Sequence, residues 1–406
     1  MKSVASEIIQ EVFKNYEGKA AIALKGEVVV GEQNSACIMD ILHEGVIRDM
    51  ALKSSLIELA KAHMKGYVEI KGDIHTLFEF TDYLIIHDIP LTTKMKLLPK
   101  VMLLEKLEIK AEGSDVSKNS KESISYHYDV SNQFYKLFLD ENMVYSCGYF
   151  KKEDNSLDLA QKDKLDHICR KLHLKKDETL LDIGCGWGSM LIWAAQYYGI
   201  KGHGITLSEN QLEVAKERAK EHGLEDRVTF ELRDYRDLDD SIKYDKIVSI
   251  GMFEHIGIKN YPIYFGKVKE LLKNQGIFLN HGITTTSEWG VSEASRFINK
   301  YIFPDGELAK ISQVLSSMED LDWEIEDVES LRRHYALTLK AWVDNLEKNR
   351  EKAVESTNFE SYALWRIYMA GSAHYFRTGD IGIYQIVASK RGENLRLPLT
   401  REHIYK

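Results

Sequence analysis

The segment "LLDIGCGWG", Leu180–Gly188, constrains this chain more than any other. An apolar strand ends in Asp182, glycines follow at 184, 186 and 188, and a helix begins. Glycines there permit a tight turn and let a ligand approach the backbone N–H groups at a helix start. Strands and helices alternate around this unit. A helix over 156–173 precedes it, and helix 188–198 follows. Then come "KGHGIT" (201–206), helix 208–222, "RVTFEL" (227–232), "YDKIVSI" (244–250), helix 260–273 and "GIFLNHGI" (276–283). The alternation predicts an α/β fold with a doubly wound, mostly parallel sheet.

The first 113 residues follow a different pattern. A helix leads into "AIALKG" and "EVVVGE", two short strands about a Lys-Gly turn. Helical runs are predicted near 37–64, then the strand-like "GYVEIKGD" (66–73) and a helix from Ile74. The polar stretch "SDVSKNSKES" (114–123) reads as a linker. The expected organisation is a small α+β domain over 1–113, a linker over 114–123 and a larger domain over 124–406. A chain of 406 residues is long enough for two cores.

Composition excludes several classes. The net charge is -9, and neither the first 120 residues nor the remainder is basic, so nucleic acid is not an expected partner. No apolar run approaches the roughly 18 residues that span a bilayer. The N-terminal stretch carries Glu7, Glu11 and Glu17 among its apolar residues and reads as an amphipathic helix rather than a signal peptide. Cys37, Cys147, Cys169 and Cys185 form no CxxC pair, so neither a metal site nor a disulfide framework is expected. A reducing, cytoplasmic setting fits.

A glycine-rich βα turn is compatible with a purely structural role, a dinucleotide site or another nucleotide site. Two features argue against a dinucleotide. Asp182 precedes the glycines, and Thr206-Leu207-Ser208 stands where an acid would meet a ribose. The D-x-G-x-G-x-G form resembles the S-adenosylmethionine turn of class I methyltransferases. A second segment, "VSIGMFEHIG" (Val248–Gly257), puts Glu254 after a core strand, at the sheet edge that faces ligands in open α/β folds. The alternative for Glu254 is a helix N-terminal acid favoured by the dipole. His255 is read as structural.

Further segments narrow the choice. "SYHYDVSNQFYKLFLDENMVYSCGYF" (125–150), "LLDIGCGWGSM", "GITLSENQ" (204–211), "SIGMFEHIG", "NHGIT" (280–284), "FINKYIFPDGEL" (297–308) and "HYALTLKAW" (334–342) resemble, in order, the cyclopropane-fatty-acid synthase family. "AHMKGYVEIKGDIHTLFEF" (62–80) resembles the small lipid-binding, sterol-carrier-like domain of its phospholipid-acting members. The resemblance implies transfer of a methylene unit from S-adenosylmethionine to the cis double bond of unsaturated phospholipid acyl chains. It implies that Tyr145, Ser146, Leu180, Leu181, Asp182, Ile183, Gly184, Cys185, Gly186, Trp187, Gly188, Thr206, Leu207, Ser208, Gln211, Tyr235 and Arg236 surround the cofactor. It implies that bicarbonate, the general base, is bound by Cys147, Glu254, His281, the Ile283 backbone and Tyr335. Tyr301, Phe303 and Tyr335 are candidates for a cation-stabilising wall. The family's usual cysteine near the C-terminus is Ser372 here, in "YMAGSAHYF", which argues against covalent catalysis at that position. A homodimer acting peripherally at a membrane is also implied. The lysine-rich stretch 92–110 ("TTKMKLLPKVMLLEKLEIK"), with Lys94, Lys96 and Lys100, is a candidate contact. Competing readings are a branched-methyl or methylene fatty acid product, N-methylation of a small amine, and a non-catalytic lipid carrier. The carrier has no need of the cofactor turn.

Overall fold

The structure, a computed structural model, describes residues 3–53, 55–87, 89–107, 131–304, 306–392 and 397–405. The expected linker 114–123 and the start of the 125–150 motif lie outside the described residues. The chain divides into two compact units, Met1–Asp115 with Arg350–His374, and Val116–Asn349 with Tyr375–Lys406. This division differs from the expected one over residues 350–374, which group with the first unit. The helix Phe359–Thr378 explains why, because most of its length bonds within the first unit. Arg366 Nη1 donates to the Ile70 carbonyl at 3.3 Å, and His374 Nε2 lies 2.9 Å from Asp82 Oδ1.

The first unit carries strands β1 (Ala20–Leu24), β2 (Glu27–Val30), β3 (Cys37–Ile41) and β4 (Val68–Gly72), ordered β2-β1-β3-β4. The expected Lys-Gly turn joins β1 to β2, with Lys25 and Gly26 both at positive φ. Residues 37–41 form a strand, not the start of the helical run predicted over 37–64. This segment pairs with β1 in parallel and with β4 antiparallel, and two-sided pairing overrides its weak local preference. Helices Gly45–Lys53 and Leu56–Met64 account for the rest of that run.

The second unit is built on β5 (Thr179–Ile183), β6 (Lys201–Thr206), β7 (Val228–Leu232), β8 (Tyr244–Ile250), β9 (Leu272–Thr285), β10 (Trp323–Ser330) and β11 (Ile381–Lys390). Their order is β10-β11-β9-β8-β5-β6-β7. The pairs from β9 through β7 are parallel, and β11 enters antiparallel between β9 and β10. Both faces of the sheet are covered, which is why its strands read as continuous apolar runs. Leu180 packs with Met190, Leu191 and Leu279 on one face, while Leu181 packs with Ile247, Phe265 and Phe278 on the other. The chain winds outward from β5 to β6 and β7, then returns to β8 on the opposite side. The carboxyl ends of β5 and β8 therefore form the topological switch point, where open sheets bind ligands.

Candidate active site

A cavity of about 770 Å³ opens at this switch point. The turn after β5 forms its floor, with Gly184, Gly186 and Gly188 at φ 84°, 52° and 81°. Gly188 caps the helix Ser189–Tyr198, and a Cβ there would lie 2.7 Å from Phe230 Cζ. The turn thus requires glycine for both conformation and space. Of the residues expected around a cofactor, Tyr145, Ser146, Asp182, Ile183, Gly184, Cys185, Gly186, Trp187, Thr206, Leu207, Ser208, Gln211, Tyr235 and Arg236 line the cavity. Leu180, Leu181 and Gly188 do not. The two leucines are fully buried in the strand core and Gly188 packs on Phe230, so their part is to hold the turn in place.

The wall is braced by specific bonds. Thr206 Oγ1 donates to Gln211 Oε1 at 3.0 Å, and Ser208 caps the helix Glu209–Glu221 by accepting from the Gln211 N–H. Arg236 forks onto Asp234 through Nε at 2.9 Å and Nη2 at 2.6 Å, presenting Tyr235 beside it. Tyr145 stacks on Trp342 with centroids 5.1 Å apart, and Trp187 Nε1 donates to Asn132 Oδ1 at 2.9 Å.

Among the wall residues that were not anticipated, Lys164 and His255 bear ionisable groups buried in the wall. Lys164 lies on the helix Leu157–Lys171 and is 1% exposed. Burial pulls its ammonium down to about 8, while Asp140, Cys147 and Asp182 favour the charged form. Its position among Leu157, Ala160, Gln161, Leu165 and Ile168 was the available signal, since a charge on the apolar stripe of a helix needs a reason. His255, read as structural, also lines the cavity and packs against Phe303. Burial pushes its imidazole down to about 4, so it is neutral at pH 7.

None of the residues expected to bind an anion, Cys147, Glu254, His281, Ile283 and Tyr335, lines the cavity. Glu254 sits in the 3-10 turn Phe253–His255 after β8. Its Oε1 accepts from the Ile283 N–H at 2.7 Å, and its buried Oε2 has no hydrogen-bond partner. Burial pushes this carboxyl up to about 7, partly offset by the Ile283 N–H. The Ile283 backbone was expected to contact the ion, and its N–H bonds to Glu254. His281, two residues earlier on β9, approaches Gln385 Nε2 through Nδ1 at 3.2 Å, and its Nε2 is a second buried atom without a partner. Burial holds its imidazole well below the usual range, hence neutral. Gly251 N–H donates to the His281 carbonyl at 2.8 Å and ties the ends of β8 and β9 together. Cys147 follows the wall residue Ser146, and its thiol points at the Leu331 carbonyl at 3.7 Å. The Tyr335 N–H bonds that same carbonyl, and the Tyr335 ring meets Trp342 edge-on. Burial raises the Cys147 thiol far above its ordinary value, so it is a thiol and not a thiolate. Ser372 is buried in the part of its helix that belongs to the first unit.

Residues 116–386 match the mycolic acid cyclopropane synthetase family. The chain is 41% identical over 358 residues to a probable fatty acid methyltransferase of Pseudomonas putida, covering 87% of each protein. It is 40% identical over 268 residues to the cyclopropane-fatty-acyl-phospholipid synthase of Escherichia coli K12, covering 66% of this chain and 68% of that one. The cyclopropane synthase MmaA2 of Mycobacterium tuberculosis matches with a TM-score of 0.64 at 31% identity, covering 68% of this chain and 100% of that structure. Mycolic acid cyclopropane synthase CmaA1, complexed with SAH and CTAB, matches with the same TM-score at 34% identity, covering 68% and 99%. A glycine turn at the switch point of a seven-stranded sheet, matched over two thirds of the chain, leads to one conclusion: this protein belongs to the cyclopropane synthase and fatty acid methyltransferase family and is an S-adenosylmethionine-dependent methyltransferase.

Proposed function

We propose that this protein is a cyclopropane-fatty-acyl-phospholipid synthase, adding a methylene unit to the cis double bond of an unsaturated phospholipid acyl chain, with bicarbonate as general base. The observation that carries this reading is a pair of buried polar atoms without partners, Glu254 Oε2 and His281 Nε2. Buried polar atoms are normally satisfied, and two orphans on adjoining strand ends fit a small bound oxyanion. S-adenosylmethionine supplies the electrophilic methyl group when bound. Glu254, protonated below about pH 7, is able to donate to an anion rather than repel it. Neutral His281 and the protonated Cys147 supply further donors. The apolar and aromatic surroundings exclude water, which would quench a developing carbocation.

The test uses S-adenosylmethionine bearing a CD₃ group and vesicles of a cis-monounsaturated phospholipid. Expected is an acyl chain that gains CD₂ and resists mild hydrogenation. A chain that gains CD₂ but hydrogenates readily indicates a methylene product. Retention of all three deuterons indicates that the chain, and not the transferred methyl group, gave up the proton, leaving a methyl-branched alkene, a reading compatible with the likeness to the probable fatty acid methyltransferase.

Such a substrate is met at a membrane surface. No described helix is long and apolar enough to cross a membrane. The helix Leu91–Leu103 instead exposes Leu91 (72%), Met95 (68%), Leu98 and Met102 at helical spacing, with Leu103 (76%) beside them. The opposite face buries Leu97 and Val101. The helix carries three lysines and no acid, in a chain of net charge -9. Lys96 and Lys100 pair with Glu11 and Glu7, so the apolar face, more than the lysines, is suited to enter lipid. Met95→Glu combined with Leu98→Glu is expected to weaken cosedimentation with anionic vesicles by about ten-fold or more. Unchanged sedimentation would remove this contact from the proposal.

A further inference from the structure

The cavity wall holds two buried groups of opposite charge that do not pair with each other. Lys164 Nζ donates to Ser146 Oγ at 3.0 Å, and among the described residues no carboxylate oxygen lies within 4.0 Å of it. Asp182, 2% exposed at the end of β5, has an Oδ1 without any hydrogen-bond partner. Both residues and Ser146 line the same cavity. Buried lysines and aspartates are rare unless paired, and here neither makes a salt bridge, although Asp140 and Asp182 are near enough to favour the charge on Lys164.

A ligand end that is itself an ammonium beside a carboxylate would satisfy both groups at once. The amino-acid end of S-adenosylmethionine and of S-adenosylhomocysteine is such a zwitterion. The glycine turn that follows Asp182 places the rest of the cavity where the nucleoside half would lie. We propose that Lys164, with Ser146 as its hydrogen-bonded second donor, anchors the carboxylate of the cofactor's amino-acid end, while Asp182 takes the ammonium. Lys164 thus belongs to the binding site, in a position that the glycine turn alone does not reveal. The inference rests on the cavity being the cofactor site.

The test is isothermal titration of the wild-type chain and Lys164→Met with two probes, S-adenosylhomocysteine and 5′-methylthioadenosine. The second keeps the adenosine and the thioether but lacks the amino acid. Loss of a charge-assisted bond predicts that Lys164→Met weakens S-adenosylhomocysteine by about 10- to 100-fold, with methylthioadenosine within about two-fold of wild type. Retained methylthioadenosine binding also certifies that the variant is folded. Lys164→Arg should recover most of the loss, and Ser146→Ala should show a smaller one. An unchanged affinity for S-adenosylhomocysteine overturns the assignment. Parallel loss of both probes overturns it too, since Lys164 would then support only packing. If the wild-type chain binds neither probe, the cofactor reading of the cavity falls first and takes this inference with it.

Discussion

Glu254→Gln will slow lipid methylation by about 10²- to 10⁴-fold, the range expected when a proton-handling group is lost, while S-adenosylhomocysteine affinity stays within about two-fold. Glutamine keeps the shape and still accepts from the Ile283 N–H through its amide oxygen. What it loses is the acidic proton at the partnerless Oε2 position. The same substitution should make the protein more stable at high pH. Burial raises the folded-state carboxyl from its ordinary value of 4.5 to about 7. Between those values the folded state holds a proton that the unfolded state releases, so stability falls as pH rises through the window. At about 1.4 kcal/mol per pH unit the full cost is about 3 kcal/mol, reached above pH 7 and absent below pH 4.5. Glutamine bears no such cost. The melting temperature of Glu254→Gln should therefore exceed wild type by about 6–12 °C at pH 8, with little difference near pH 4.5. Equal melting temperatures at both pH values would show that Glu254 is not held in this strained electrostatic state. Undiminished turnover would remove it from the chemistry.

Gly282→Ala is expected to remove both stability and activity, by a steric route. A Cβ on Gly282 would lie 1.9 Å from Phe253 Cε1 and 3.0 Å from Glu254 Oε1. Phe253 is 1% exposed and packs against Tyr261, so its ring has nowhere to go. The turn carrying Glu254 must move, and its bond to the Ile283 N–H must break. Overpacking of a dense core costs roughly 1–3 kcal/mol, so a melting-temperature loss of about 2–12 °C should accompany the activity loss. Gly251→Ala is the contrast. Gly251 has φ 68° and nothing within 4 Å of a built Cβ, so alanine meets only backbone strain there, about 1–2 kcal/mol. If the two variants behave alike, space at Gly282 is not what places Glu254.

The sheet from β5 to β9 was legible in the sequence because most of its strands carry apolar residues and most are separated by helices of clear period. β6 and β8 have the expected limits, 201–206 and 244–250. β3 was misread as helix because Cys37–Ile41 has no period of its own and is held by pairing on both sides. β10 and β11 were not anticipated, since their partners lie far away in sequence. The cavity-lining residues followed from the motif wherever the motif touches the ligand space. Leu180, Leu181 and Gly188 share the motif but serve the scaffold beneath it. Lys164 was missed although its place on the apolar stripe of its helix was a signal, and His255 was read as structural because its motif gives it no role; the folded wall sets them against Ser146 and Phe303. The return of residues 350–374 to the first unit had no local sign, because a helix does not announce which core it joins.

The insertion of β11 between β9 and β10 has a consequence for how the enzyme comes into being. β11 leaves the ribosome after every other strand of its sheet, yet it occupies an interior place and sets Ile383 opposite Ile283 and Gln385 opposite His281. The nucleotide-facing strands β5 to β8 pair among themselves and, through β8, with β9, and all of these are made much earlier in synthesis. Since folding during synthesis proceeds from the N-terminal side, the half that holds the methyl donor can form while the half that shapes its use is still incomplete. The cofactor-side strands are thus expected to assemble first, and the sheet is completed only when a late strand enters its interior.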